Sequence, residues 1–125
     1  MWYDFFEENT FARSLFVDNS SELQGSLIDL YLDLYSNHIR MQVQTKAFLD
    51  SPPKKWGGCG EYSLLIVLDF YNIYDFRVNR IQHEECCFSF KLHNGLLCVN
   101  LYDTTNLCFL CECGVIQSIK YVSDV

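Results

Sequence analysis

Residues 26–46 alternate apolar and polar side chains with the two-residue period of β-strands, and the pattern is broken at Ser36-Asn37. This period places alternate side chains on opposite faces of a strand, which a helix does not do. A two-residue turn at Ser36-Asn37 therefore predicts a β-hairpin with one apolar and one polar face. The predicted apolar pairs are Leu34 with Ile39, Leu32 with Met41, and Leu30 with Val43.

The polar face of this hairpin contains acids and tyrosines. The same register sets Asp33 opposite Arg40, so that an acid meets a base. Tyr31 and Asp29 continue the face, each opposite a glutamine. We expect this face to lie on the outside of the sheet.

A second hairpin is predicted around Asn94-Gly95, the preferred sequence for a type I′ turn, in which both central residues have positive φ. Its predicted apolar pairs are Leu92 with Leu97, Phe90 with Val99, and Phe88 with Leu101.

The remaining segments predict one short helix and several more strands. Asn9 or Thr10 can cap an N-terminal helix, which a polar loop at Asp18-Asn19-Ser20-Ser21 would end. Further strands are expected at residues 62–70, 74–80, 107–113 and 115–122. The chain is therefore predicted to be one domain, residues 1–125, of the α+β class and mostly antiparallel β. A short N-terminal helix would pack on a curved antiparallel sheet or sandwich of about eight strands.

Both prolines of the chain lie in one connector, residues 50–58, which reads Asp-Ser-Pro-Pro-Lys-Lys-Trp-Gly-Gly. Two successive prolines remove two backbone donors, so this segment cannot lie within a sheet. We expect it to link a hairpin to a central strand, with Trp56 packed against the core.

The charge balance limits the classes of partner. The chain has 9 basic and 16 acidic residues and a formal net charge of −7. This charge disfavours nucleic-acid binding and favours a basic protein partner, although it also serves simply to keep a small protein soluble. The longest apolar run, residues 64–68, is too short to span a membrane, and the acidic N-terminus does not resemble a signal peptide. A cytoplasmic location without membrane contact is expected.

The seven cysteines suggest metal or redox chemistry, but their spacing argues against it. Their number is odd, and no export signal accompanies them, which favours free and mostly buried thiols. In a strand, Cys108 would face away from Cys111 and Cys113, so the three cannot converge on one ion. We predict no metal site and no cofactor.

No catalytic arrangement is evident in the sequence. His38, His83 and His93 each lie at or next to a predicted turn, where exposed histidines are common. A cysteine nucleophile would need a histidine and an orienting acid nearby. We therefore expect no catalytic residues and no enzymatic activity.

Tyrosines that lie among acids are suited to recognising a basic protein surface, because tyrosine supplies contact area at low entropic cost. The alternative is that they form only the solvated side of an antiparallel sheet. The candidate partner-binding residues are Asp29, Tyr31, Asp33, Asp69, Tyr71, Asp75, Glu84 and Glu85.

Several features follow one another along most of the chain: Met1-Trp2-Tyr3, the first hairpin, Pro52-Pro53-Lys54-Lys55-Trp56, the strand at residues 64–70, and residues 73–78. This order resembles the Immunity protein 50 family of bacterial polymorphic-toxin systems. The resemblance implies a protein that binds a cognate toxin domain and blocks it without catalysis. A nuclease would fit as the toxin, because an acidic inhibitor can occupy its basic substrate surface, although the toxin need not be a nuclease.

Two other classes of function remain open. A small-ligand or carbohydrate-binding β module would use aromatic side chains, including Trp56, in a concave pocket. A structural subunit would associate with itself through an apolar sheet edge or face. We expect a monomer or a weak homodimer.

Overall fold

The structure is a computed structural model that describes residues 1–16 and 20–122. These residues contain six strands: β1 (Leu23–Asp33), β2 (His38–Leu49), β3 (Gly60–Arg80), β4 (Glu85–His93), β5 (Leu96–Tyr102) and β6 (Asn106–Val122). They form a closed antiparallel barrel in the order β1-β2-β3-β6-β5-β4. A 3₁₀ turn (Trp2–Phe5) and a six-residue helix, α1 (Thr10–Leu15), precede the barrel.

The mostly antiparallel β architecture is confirmed, but the predicted number of about eight strands is wrong, and the strands close into a barrel where a curved sheet or sandwich was expected. The segments predicted at residues 62–70 and 74–80 are both part of β3, which has 21 residues. Those at 107–113 and 115–122 are both part of β6, which has 17 residues. Asn72 and Asp75 have φ angles of 59° and 52°, so they bend β3 without ending it.

The helical part of the predicted fold is minor. In the described residues it consists of two 3₁₀ turns, Trp2–Phe5 and Lys54–Trp56, and α1, in which Ala12 and Leu15 are buried. Asn9 precedes α1 as its N-cap residue, and its side chain donates to the carbonyl oxygen of Tyr3. The loop predicted at Asp18-Asn19-Ser20-Ser21 lies partly outside the described residues.

The first hairpin is present, but its register differs from the prediction by two residues. Leu32 lies opposite Ile39 rather than Met41, and the turn spans residues 34–37. A carboxylate oxygen of Asp33 accepts hydrogen bonds from the backbone N–H groups of Tyr35 (3.1 Å) and Ser36 (3.2 Å). These bonds stabilise the longer turn. Because the shift is even, the two faces keep their predicted sides.

The second hairpin has the predicted register. Phe88 lies opposite Leu101, and Phe90 lies opposite Val99. Asn94 and Gly95 have φ angles of 52° and 79°, which a type I′ turn requires.

The N-terminal segment fills one part of the barrel interior. Trp2, Tyr3 and Phe6 are buried, and the Phe6 ring lies 5.6 Å from the Phe70 ring. A Cβ atom on Gly114 would lie 3.0 Å from the Phe6 ring, so the glycine makes room for that ring. The backbone of Glu7 also exchanges hydrogen bonds with β6.

The connector after β2 is anchored as expected. Lys54–Trp56 forms a 3₁₀ turn, and Trp56 packs against the core beside Phe11, Tyr62 and Tyr121. It leads into β3, which pairs with β2 on one side and β6 on the other.

Candidate protein-binding face

Five of the eight predicted binding residues lie on one outer surface of the barrel, which we call the β1–β3 face. Its three cross-strand rows follow from the pairing of β1 with β2 and of β2 with β3. The rows are Asp33-His38-Tyr71, Tyr31-Arg40-Asp69 and Asp29-Gln42-Val67.

Asp69 is the centre of a hydrogen-bond network on this face, and it has no solvent-exposed surface. Arg40 donates to its two carboxylate oxygens over 2.8 and 2.9 Å, and His38 Nε2 lies 2.9 Å from one of them. Burial alone would raise the pKa of Asp69, but the hydrogen bonds from Arg40 and His38 outweigh burial and lower it. Asp69 is therefore ionised at neutral pH.

The predicted partner of Arg40 was wrong. Because of the shifted register, Arg40 lies opposite Tyr31 on β1 and bonds to Asp69 on β3 rather than to Asp33. Asp33 instead accepts hydrogen bonds from Ser36, whose side chain and backbone lower the pKa of Asp33.

His38 is not the exposed turn residue that its position in the sequence suggested. It is the first residue of β2, and its side chain is only 16% exposed. Its ring stacks on Tyr71 with the centroids 4.8 Å apart and the planes 13° apart. Asp69, His38 and Tyr71 therefore hold one another in place.

The tip of the first hairpin exposes large side chains next to this face. Tyr35 is fully exposed, and Leu34, which the sequence placed inside, is 92% exposed. Tyr31 is 55% exposed on the face itself. We call Leu34 and Tyr35 the hairpin tip. The predicted two-residue turn would have buried Leu34, so the exposure of Leu34 was not predicted.

A small cavity of about 140 Å³ lies beside the tip. Its apolar lining consists of Leu32, Leu34, Ile39, Ile73 and Phe76. The tip is therefore next to a partly open end of the core.

The other three predicted residues do not join the β1–β3 face. Asp75 is exposed further along β3, where its left-handed backbone bends the strand. Glu84 precedes β4, and Glu85 begins it. Glu85 lines a polar groove of about 440 Å³ together with Gln24 and Lys46.

A second groove, of about 570 Å³, lies at the connector. Phe11, Trp56 and Tyr121 contribute aromatic surface to it, and Lys55 and Lys120 contribute positive charge.

The cysteines differ in their surroundings. All seven fall within the described residues and are free. Burial raises the pKa of Cys111 to about 12 and that of Cys86 to about 11, whereas Cys59 is exposed. Across residues 1–16 and 20–122, no group of three or more His, Cys, Asp or Glu side chains is arranged to hold a metal ion.

The fold and this face define a small antiparallel β-barrel with an exposed aromatic hairpin. Comparison of the chain with protein-family models, with curated proteins and with solved structures found no match. No helix in the described part of the chain has the length and apolar character needed to cross a membrane.

Proposed function

We propose that this protein is a non-enzymatic immunity protein that binds a cognate bacterial toxin domain through the β1–β3 face and the hairpin tip. The observation that carries the proposal is the exposure of Tyr31, Leu34 and Tyr35 on one hairpin. Clustered apolar side chains in water mark interaction surfaces, and tyrosine is a frequent binding hot spot.

The network around Asp69 supports a binding role for the face. Arg40 and Tyr71 are partly exposed. Asp69 holds Arg40 by hydrogen bonds, and the His38 ring stacks on Tyr71. Side chains that are already ordered lose less entropy when they bind a partner. The face is thus a preformed surface with Arg and Tyr side chains on it.

The same network supports a non-enzymatic role. Asp69 is covered by Arg40, and its carboxylate accepts three hydrogen bonds or close polar contacts from neighbouring side chains. A general base must reach the proton that it removes. Asp69 in this arrangement stabilises the sheet and does not present its oxygens to a substrate.

The toxin as partner rests on the resemblance, which Met1-Trp2-Tyr3 and Pro52-Pro53-Lys54-Lys55-Trp56 help to carry. The net charge of −7 supports a basic toxin surface, for example that of a nuclease, met by Asp29 and by other acids of this chain. Such a complex would form in the cytoplasm of the producing cell. We expect its affinity to fall as the ionic strength is raised, and an affinity insensitive to salt would contradict the electrostatic part.

Co-expression in bacteria tests the proposal. The proposal predicts that a large secreted protein is encoded immediately upstream of this chain, and the C-terminal domain of that protein is the partner to use. That domain alone should kill the cells, and the cells should survive when this protein is present. Survival that does not change with this protein would refute the immunity function.

The groove at Trp56 favours a second candidate function, the binding of a small ligand or carbohydrate. Its aromatic side chains can stack on a sugar ring, and its volume lies within the range of ligand pockets. A change of tryptophan fluorescence on titration with oligosaccharides, lost in Trp56→Ala, would support this function. No response across a panel of neutral and acidic sugars would exclude it.

A further inference from the structure

The second half of β1 has a neighbouring strand on only one side. Leu23–Ser26 pairs with β4, whereas the pairing with β2 continues to Asp33. The chain before β4 turns away, and the backbone N–H of Gln82 donates to the Thr105 hydroxyl over 3.0 Å. In the described part of the chain, residues 27–33 therefore have no strand partner on the β4 side. We call these residues the β1 edge.

The β1 edge is accessible and apolar on one face. Ile28 and Leu32 are 45% and 42% exposed, and Leu30 is partly buried. Leu32 also lines the cavity beside the hairpin tip, together with Phe76. A bulge at Ile28 interrupts the pairing with β2, so the regular part of the edge is residues 29–33.

Two other strand segments that extend past a neighbour carry features that oppose pairing with a foreign strand. β3 beyond Tyr71 contains irregular pairing and the basic residues Arg77 and Arg80. β4 beyond Phe88 contains Lys91, and the Trp2 ring lies over Phe90 with the centroids 6.3 Å apart. Lysines, bulges and covering elements are the usual protection of sheet edges. The β1 edge has neither a basic residue nor a proline.

We propose that the β1 edge binds an extended, basic segment of the partner protein as an added β-strand. This inference rests on the proposed function as a protein-binding domain. Backbone hydrogen bonds to the edge would supply affinity. Asp29 and Asp33 on the outer face select Lys or Arg at alternate positions of the incoming strand, whose other side chains would contact Leu30 and Leu32.

Charge argues against a second copy of this chain as the occupant. Antiparallel self-pairing centred on Tyr31 would set Asp29 of each copy opposite Asp33 of the other, and like charges opposite each other destabilise a sheet. Each copy also carries a net charge of −7. The occupant is therefore a different chain with basic residues.

A pair of synthetic peptides tests strand addition with the intact protein. The probe is the capped heptapeptide Lys-Val-Lys-Val-Lys-Val-Lys, and the control has proline in place of the central valine. Amide hydrogen exchange is followed by NMR for every residue. The probe should slow exchange at alternate amides of residues 29–33 at least tenfold, and the control should not, because proline cannot donate to a ladder and does not fit within one.

Two charge-matched variants sharpen the test. Leu32→Lys places a basic side chain at the edge and should weaken probe binding at least tenfold, whereas Leu92→Lys, at an exposed site (69%) on the other hairpin, should have little effect. Equal weakening by both variants, equal effects of both peptides, or protection only outside residues 27–33 would overturn strand addition.

The outcome is separable from that of the proposed function. If the cells survive on co-expression but neither the probe nor the toxin domain slows amide exchange at the β1 edge, strand addition alone is refuted. If the probe slows amide exchange at the β1 edge but the cells do not survive, the immunity function is refuted and the β1 edge remains a binding site for an added strand.

Discussion

Asp69 on β3 and Arg40 on β2 lie directly opposite each other and are joined by two hydrogen bonds of 2.8 and 2.9 Å. The carboxylate has no exposed surface, whereas the Arg40 side chain is 46% exposed. The pair therefore connects the middle of the sheet to the surface that we propose as the binding face. Its loss would affect both stability and the order of that face.

Asp69→Asn should lower the free energy of unfolding at pH 7 by about 2 kcal/mol, because a hydrogen bond to a charged group usually contributes about that much to stability. The amide retains the shape of the carboxylate but loses its charge, and its NH2 group takes the place of the oxygen that accepts from Arg40 Nη2, so that two donors would face each other. Urea denaturation measures the change. Asp29→Asn, at an exposed position, is the matched control and should change stability by less than about 0.5 kcal/mol.

The contribution of Asp69 should also depend on pH. Its pKa is lowered in the folded protein, so its stabilisation is fully present above the unfolded pKa of about 3.9 and is lost as the pH falls through the folded pKa. The native protein should therefore lose stability at acidic pH more steeply than Asp69→Asn does. Parallel curves of unfolding free energy against pH for the two proteins would contradict this assignment.

Gly25→Ala should destabilise the barrel by about 2 kcal/mol or more, because overpacking forces backbone shifts. A Cβ atom at Gly25 would lie 2.5 Å from the carbonyl oxygen of Gln44 on the neighbouring strand. Thermal unfolding measures the effect. Gly58→Ala is the control, since a Cβ atom there meets nothing within 4 Å. If Gly25→Ala and the native protein had similar melting temperatures, β1 and β2 would have to lie further apart at Gly25 than this close approach implies.

The cysteines should react with a thiol reagent in a definite order. Exposed Cys59 should be labelled early at pH 8, whereas Cys86 and Cys111 should react only on unfolding, because burial hides them and raises their pKa. Mass spectrometry of labelled peptides follows each site, and Cys59→Ser should remove its signal alone. Early labelling of Cys111 would contradict its place inside the barrel.

Local sequence signals predicted the parts of the fold that depend on neighbouring residues. Asn94-Gly95 favours one turn type, and the turn sets the register of the second hairpin. In the first hairpin the alternation predicted the faces correctly, but it does not distinguish registers that differ by two residues. The hydrogen bonds accepted by Asp33 stabilise the longer turn, so Leu34 lies outside.

The long-range features could not be predicted in the same way. Closure of the barrel depends on the short pairing of β1 with β4, whose residues are far apart in the sequence. The expected strands at residues 107–113 and 115–122 are continuous through Gly114, where the glycine accommodates the Phe6 ring. The period of the sequence predicted that Asp29, Tyr31 and Asp33, which lie on the β1–β3 face, share one side of their strand. The roles of His38 and Arg40 were not, because they depend on contacts with β3.

Isothermal titration of the purified toxin domain into the native protein and into the Tyr31→Ala/Tyr35→Ala variant tests the central claim most directly. Both side chains are largely exposed, so the variant should fold normally and bind about 100-fold more weakly, as expected for the loss of hot-spot tyrosines. Phe48→Ala, which removes an exposed aromatic ring near the other end of β2, should bind like the native protein. Native affinity in the Tyr31→Ala/Tyr35→Ala variant would contradict the claim that this hairpin binds the toxin.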